Sequence, residues 1–212
     1  ISSNEQNELK RTELMINYLS SNKNVAIITD RGTPIISDPG YILVKKAIEE
    51  GYEVIGLPGA NAATTALIIS GLNPYPYLFY GFLKGNNKKK IENLKNLQKI
   101  KYSIIFYESV HHIQETLNLI YSVFGNRRVA ICRELTKMYE ECVRDELENI
   151  INNFNVITLK GEFVIVVEGN NNDVDYSDLN LIDHVNLYIS DGFEKMEAIK
   201  KTSKDLNLSK SE

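Results

Sequence analysis

The sequence predicts an α/β protein, and three observations carry that prediction. Short apolar runs of strand length alternate with segments whose apolar residues recur at helical spacing. Several of the runs end directly in Gly/Pro/Asp clusters, the punctuation of strand-to-helix loops. Hydrophobic residues make up 43% of the 212 residues and charged residues 25%, which supplies apolar side chains for layers packed on a sheet.

The elements follow in order. Leu9, Leu14, Ile16 and Leu19 space out a helix over Glu5–Leu19. Val25–Thr29 is a continuous apolar run, expected to be a strand buried on both faces, and Asp30–Pro34 is the turn after it. A helix over Tyr41–Glu50 is stopped by Gly51, and Glu53–Leu57 reads as a second strand. Ala62–Ser70 is a small-residue helix stopped by Gly71. Strands are expected at Leu78–Leu83, Ser103–Tyr107, Arg128–Arg133 and Phe163–Glu168, with Tyr139–Arg144 alternating weakly and pairing antiparallel. Helices are expected at Lys88–Leu97, Ile113–Phe124 and Glu146–Asn153, the last with Asp145 as its N-cap. An Asn-rich linker at Asn170–Asp173 precedes two short helices, Tyr176–Ile189 and Glu194–Leu206.

This order divides the chain into an N-terminal α/β domain (1–83), a second α/β domain with a mixed sheet (84–170), and a linker with a small helical tail (171–212). Lys+Arg 24 against Asp+Glu 28 gives a net charge of −4. Binding dominated by non-specific attraction to nucleic acid calls for a strongly basic chain, so contacts to nucleic acid must come from local patches. No apolar run reaches the roughly 18 residues of a membrane span, and no signal-peptide pattern is present. Cys132 and Cys142 are two cysteines in strand-like runs, expected as reduced core thiols in a cytoplasmic protein.

Four loops sit where open α/β sheets bind ligands, beyond strand ends. Asp30–Gly40 contains Gly32 and Gly40 for close backbone approach, and Thr33, Ser37 and Asp38 as hydrogen-bonding side chains. It reads equally as a long turn capped by Ser37 or Asp38. It matches neither the dinucleotide glycine fingerprint nor a phosphate-binding loop. Leu57–Ala63 is a second loop of the same kind, for which tight helix–sheet packing is the plainer account. Tyr107-Glu108-Ser109 ends a strand before His111 and His112, and Glu108 is a ligand-orienting carboxylate, a general base, or simply a favourable charge at a helix start. Adjacent histidines point apart and the other histidine is His184, so no metal site is expected. Arg133–Lys137 ends the next strand, where its charges are either solvated or bind substrate, and Gly161 either meets a planar ring or makes a tight turn. The dense basic stretch runs from Lys84 through Lys88, Lys89, Lys90, Lys95, Lys99 and Lys101, with Tyr75, Tyr77 and Tyr80 upstream. That combination suits RNA phosphates and stacked bases, or simply a solvated helix face.

Taken together these loops resemble one family, the ribosomal RNA small-subunit methyltransferase I group of the tetrapyrrole methylase superfamily. The pattern D-A-G-T-P-x-I-S-D-P-G is matched at Asp30–Gly40, with Arg31 in place of Ala. L-P-G-P-S-A appears as Leu57–Ala62, and F-Y-E-S-P-H-R as Phe106–His112, with Val110 and His112 replacing Pro and Arg. R-E-L-T-K stands at Arg133–Lys137 and K-G-E-F-V-x-V-x-E-G at Lys160–Gly169. The resemblance spans about residues 4–170, and the tail, with Gly192, Glu197–Lys200 and Leu208–Lys210, is similar to the helical domain that ends many members.

The resemblance implies two α/β domains of the tetrapyrrole methylase type, a cofactor cleft between them, and a homodimer. It implies S-adenosylmethionine-dependent 2′-O-methylation of a cytidine ribose in small-subunit (16S) rRNA, with the rRNA or the assembled small subunit as partner. It places Asp30, Gly32, Thr33, Pro34, Ser37, Pro58, Gly59, Ala60 and Asn61 at the methionine and ribose of the cofactor. Leu135, Thr136 and Gly161 fall at its adenine. Glu108 as proton acceptor and Lys137 as stabiliser of the alkoxide are the catalytic candidates. Lys88, Lys89, Lys90, His111 and Arg133 are the RNA-binding candidates. The resembled pattern has two further strands before the position of Ile1, so this chain is expected to be an N-terminal truncation that alone binds the cofactor weakly or not at all. Methylation of a tetrapyrrole and a non-catalytic RNA-binding fragment are the alternatives; the basic stretch and the helical tail favour RNA.

Overall fold

The computed structural model describes residues 1–4, 6–171, 180–190 and 192–206. They belong to two compact units, Ile1–Asn170 and the described part of Asn171–Glu212. The first unit contains the helices α1 (Glu8–Ser20), α2 (Tyr41–Glu49), α3 (Ala62–Ser70), α4 (Asn87–Leu97), α5 (Ile113–Phe124) and α6 (Leu147–Asn152). Its strands are β1 (Tyr77–Phe82), β2 (Ser103–Ser109), β3 (Arg128–Arg133), β4 (Glu141–Glu146) and β5 (Glu162–Val167).

The five strands form one mixed sheet in the order β1-β2-β5-β3-β4. β1 and β2 run parallel, and every other neighbouring pair is antiparallel. The period-2 geometry of strands sorts the side chains onto two faces. Phe106, Ile165 and Ile131 share one cross-strand row and face α4, α5 and α6, where Leu94, Leu117, Ile120 and Leu147 complete the main core. The next row, Ile105, Val166 and Ala130, faces the opposite way onto Ala63, Ala66 and Leu67 of α3. The small residues of α3 let that helix lie close to the sheet.

Local chemistry fixes the helix ends. The Asn61 side chain accepts from the Thr64 N–H, and Gly71 closes α3 in the left-handed region. Asn86 caps α4 in the same way. α2 differs from the sequence expectation. Gly40, not Ser37 or Asp38, occupies the cap position, and the Glu8 carboxylate of α1 accepts from the N–H groups of Gly40 and Ile42 at 2.7 and 3.3 Å. Glu146 rather than Asp145 stands at the N-cap of α6; Asp145 instead accepts from the Glu146 N–H and the Asn149 amide.

The largest departure concerns the two segments expected as the first strands. Val25–Thr29 and Glu53–Leu57 form no regular element and belong to no ladder among the described residues. Val25 and Ile27 pack beside Ile16, Leu43 and Ala47 in a third, small cluster, whereas Ile28, Ile55 and Leu57 are exposed. An apolar run states that a segment suits a sheet; the ladder itself needs a neighbour at hydrogen-bonding distance.

The second unit contains α7 (Leu181–Ser190) and α8 (Lys195–Asp205). His184 is fully buried, stacked on Tyr188, with Nε2 3.3 Å from the Asp205 carboxylate. The predicted residues 172–179 and 207–212 of the linker and tail lie outside the described residues. Among the described residues no helix is long and apolar enough to cross a membrane.

Candidate active site

A cleft of about 1070 Å³ opens in the first unit, where the loops after Val25–Thr29 and Glu53–Leu57 meet the loops at one end of the sheet. This is at the upper end of the size range of small-molecule sites. Loop 30–40 supplies one wall, with Asp30, Gly32, Thr33 and Ser37 among its lining. Ala60 and Asn61 come from the loop before α3, and Leu135, Thr136 and Lys137 from the loop after β3. Phe82, Tyr107, Glu108 and Glu162 line it from the ends of β1, β2 and β5.

Short hydrogen bonds tie the walls together. Thr33 Oγ1 donates to the Ala60 carbonyl at 2.9 Å, joining the first two loops. The Ala63 N–H donates to the Tyr107 hydroxyl at 3.2 Å, joining the start of α3 to β2. Burial pushes the Tyr107 phenol up, so it remains a neutral hydroxyl. Asp38, also on the cleft, is shifted upward chiefly by burial and then by the neighbouring Asp30.

The backbone of these loops is unusual. Ile35 and Ser37 in the first loop and Glu134 and Thr136 after β3 all have positive φ, at 75°, 64°, 48° and 64°. For branched side chains such as Ile and Thr this region is sterically costly, and such residues concentrate at functional sites. Two of the facing loops therefore carry backbone conformations that the surrounding contacts hold in place.

A chain of alternating charges runs along the rim. Arg31 Nη1 lies 2.8 Å from Glu162 Oε1, Glu162 Oε2 lies 3.3 Å from Lys137 Nζ, and Lys137 Nζ lies 2.9 Å from Glu134 Oε1. The hydrogen bond from Lys137, followed by that from the Glu162 N–H, holds the Glu134 carboxyl below the usual range. Gly161 belongs to this junction. Its φ of +80° favours glycine, and a β-carbon there would displace the Glu134 carboxylate from its present place.

Of the sequence-predicted cofactor positions, Asp30, Gly32, Thr33, Ser37, Ala60, Asn61, Leu135 and Thr136 line this cleft; Pro34, Pro58, Gly59 and Gly161 do not. The two catalytic candidates reach it in different states. Lys137 is partly exposed, while Glu108 is buried and both of its oxygens are engaged. One accepts from the Ser109 N–H and the other from the Thr116 hydroxyl, each at 2.7 Å. The RNA-binding candidates do not gather here. Lys88, Lys89 and His111 are exposed outside the cleft lining. Lys90 is turned inward, its Nζ 3.6 Å from Glu115, and Arg133 is paired with Glu141. Phe82 and Glu162 were missed as site residues by sequence reasoning; their places at strand ends were the available signal.

Residues 2–151 match the family model of the tetrapyrrole (corrin/porphyrin) methylases, and the chain belongs to that family. Its whole length is 44% identical to the ribosomal RNA small subunit methyltransferase I of Bacillus subtilis (strain 168), 75% of which it covers. The fold is similar to that of the methyltransferase CobJ, with a TM-score of 0.58 and 16% identity over 77% of this chain and 72% of that one. It is also similar to uroporphyrin-III C-methyl transferase from Thermus thermophilus complexed with S-adenyl homocysteine, with a TM-score of 0.52 and 13% identity over 74% and 71% of the two chains.

Proposed function

We propose that this chain carries the active site of an S-adenosylmethionine-dependent rRNA methyltransferase that methylates the ribose 2′-hydroxyl of a cytidine in small-subunit rRNA, and that it acts in the cytoplasm as a homodimer. The observation that carries this reading is the convergence of loop 30–40, Ala60-Asn61 and Leu135–Lys137 on one cleft, with walls drawn from both 1–83 and 84–170. The family and the identity to the Bacillus subtilis relative support the chemistry and the substrate class.

The residues present suit the cofactor. The cleft is large enough, the carboxylates of Asp30 and Asp38 favour a positively charged group, and Phe82 and Leu135 offer apolar surface for a base. Asp30, Gly32, Thr33, Ser37, Ala60 and Asn61 hold its methionine and ribose parts, and Leu135 and Thr136 its adenine. When bound, S-adenosylmethionine supplies the methyl group as an electrophile for in-line transfer, so the protein's work is largely alignment. Lys137 favours the negative charge that develops on the ribose oxygen, and the hydroxyl proton is released to solvent water. Glu108 acts as a positioning group: with both oxygens engaged, it fixes the turn from β2 into α5 instead of accepting the hydroxyl proton.

Two measurements check this reading. Incubating the full-length protein with methyl-labelled cofactor and small ribosomal subunits is expected to place label in rRNA, at a ribose on nuclease digestion. Label appearing only in an added porphyrinoid, or RNA retained without label, would reject it. For Glu108, the Gln variant keeps one acceptor and is expected to retain most of the transfer rate. Glu108→Ala leaves the Thr116 hydroxyl and Ser109 N–H without their acceptor and is expected to lose about 1–3 kcal/mol of stability. A hundredfold loss of rate in Glu108→Gln at unchanged Tm would make Glu108 the base after all.

A further inference from the structure

RNA is a polyanion, and the cleft proposed to receive its ribose is itself acidic. Its described lining carries six carboxylates (Glu8, Asp30, Asp38, Glu108, Glu134 and Glu162) against two cationic side chains, Arg31 and Lys137. A phosphodiester flanking the target nucleotide is repelled from such a rim unless a cation meets it there. Lys137 is engaged by two carboxylates. Arg31 stands at the end of the rim's charge chain, and both it and its partner Glu162 are 63% exposed.

From these observations, and on the reading of the substrate as RNA, we propose that Arg31 is a substrate-recognition residue. Its guanidinium is held by Glu162 in the free protein and passes to an RNA phosphate beside the target ribose. The exchange is cheap on both sides. An exposed ion pair contributes little to stability, so little is lost when Arg31 leaves. A guanidinium matches a phosphate through two parallel hydrogen bonds as well as it matches a carboxylate. Glu162 is not abandoned, because Lys137 remains 3.3 Å from its other oxygen. Of the other described arginines in or beside the sheet, Arg128 stands at the start of β3, away from the cleft lining, and three more are committed elsewhere. Arg133 is paired with Glu141, Arg144 gives Nε and Nη2 to the Ile69 carbonyl, and Arg127 donates to Gln98 and Glu168 carbonyls.

The test uses the full protein, methyl-labelled cofactor and small ribosomal subunits. Arg31→Ala is expected to raise KM for the subunit about tenfold, with the loss in KM rather than kcat. The log–log dependence of subunit affinity on salt should become shallower by about one. Arg31→Lys, which keeps the charge without the fork, should fall between. Glu162→Gln, which removes the competing carboxylate, should bind the subunit at least as well as the unaltered protein. An unchanged KM and salt slope in Arg31→Ala would overturn the proposal. So would equal losses in Arg31→Ala and Glu162→Gln, or a matching loss of cofactor affinity, since each would make the pair a brace of the loops. Failure of the unaltered protein to label rRNA would overturn both this proposal and the functional reading beneath it, whereas labelling with an indifferent Arg31→Ala overturns this one alone.

Discussion

Lys137→Met is expected to lower the single-turnover rate of methyl transfer by roughly 10²-fold, the cost typical of removing one preorganised group that meets developing negative charge. Methionine keeps much of the unbranched stem and removes the ammonium, so packing changes little. Lys137→Arg, which keeps the charge in a different shape, should recover part of the loss. The ammonium also has a structural share, because it sits between Glu134 and Glu162. That share can be separated by pH. The Glu134 carboxyl is held below its usual range in the folded protein. Its contribution to stability is therefore present above the unfolded carboxylate value of about 4.3 and is lost as pH falls below that toward the depressed folded value. In Lys137→Met this acid-side loss should shrink, whereas the loss in rate should persist at neutral pH. A variant whose rate matches the unaltered protein at saturating cofactor and subunit would remove Lys137 from the chemistry.

Phe106→Ala should destabilise the protein by about 3–5 kcal/mol, a large share of the 5–15 kcal/mol that holds a typical protein folded. Phe106 is fully buried in β2, in the row with Ile165 and Ile131, and its ring lies 5.5 Å from that of Tyr80. Truncation removes its contacts with strands and helices together, and the flanking strands cannot collapse inward without breaking their ladders. The midpoint of urea unfolding should fall with little change in slope. Val143→Ala, in the same row at the partly buried edge, should cost about 1 kcal/mol. Similar midpoints for the two variants would show that the row is not the centre of the core.

The sequence was most readable where one element's own residues decide its fate. α3 at Ala62–Ser70, α5 at Ile113–Phe124 and β3 at Arg128–Arg133 have the bounds that periodicity and stop residues predict. Gly71 and Gly125 end their helices with positive φ, as a glycine after an apolar period should. Readability failed where the outcome depends on a distant partner. Val25–Thr29 and Glu53–Leu57 have strand composition, yet a ladder requires a neighbour that composition does not name. The cap of α2 comes from Glu8, 32 residues away from Gly40 in the chain, so no local signal could have chosen it over Ser37. In the cleft, the loops themselves were legible from their place after apolar runs. The left-handed backbone of Ile35 and Thr136 was not, because branched residues argue against it and only the closed set of loop contacts imposes it. The inward turn of Lys90 was hidden in the same way: a lysine in a basic run looks solvated until Glu115 of the neighbouring helix is placed beside it.

The margin formed by β4 governs how the molecule behaves in a crowd. Four of its six residues are charged (Glu141, Arg144, Asp145 and Glu146), and Arg144 is drawn onto the last turn of α3 through the Ile69 carbonyl. A second chain seeking to extend the sheet along that border would have to bring its own backbone against this mixed-sign fringe and detach the guanidinium first. The sheet is thereby self-terminating on that side, and stacking of molecules strand to strand into fibrils is discouraged by the same few side chains that close the fold.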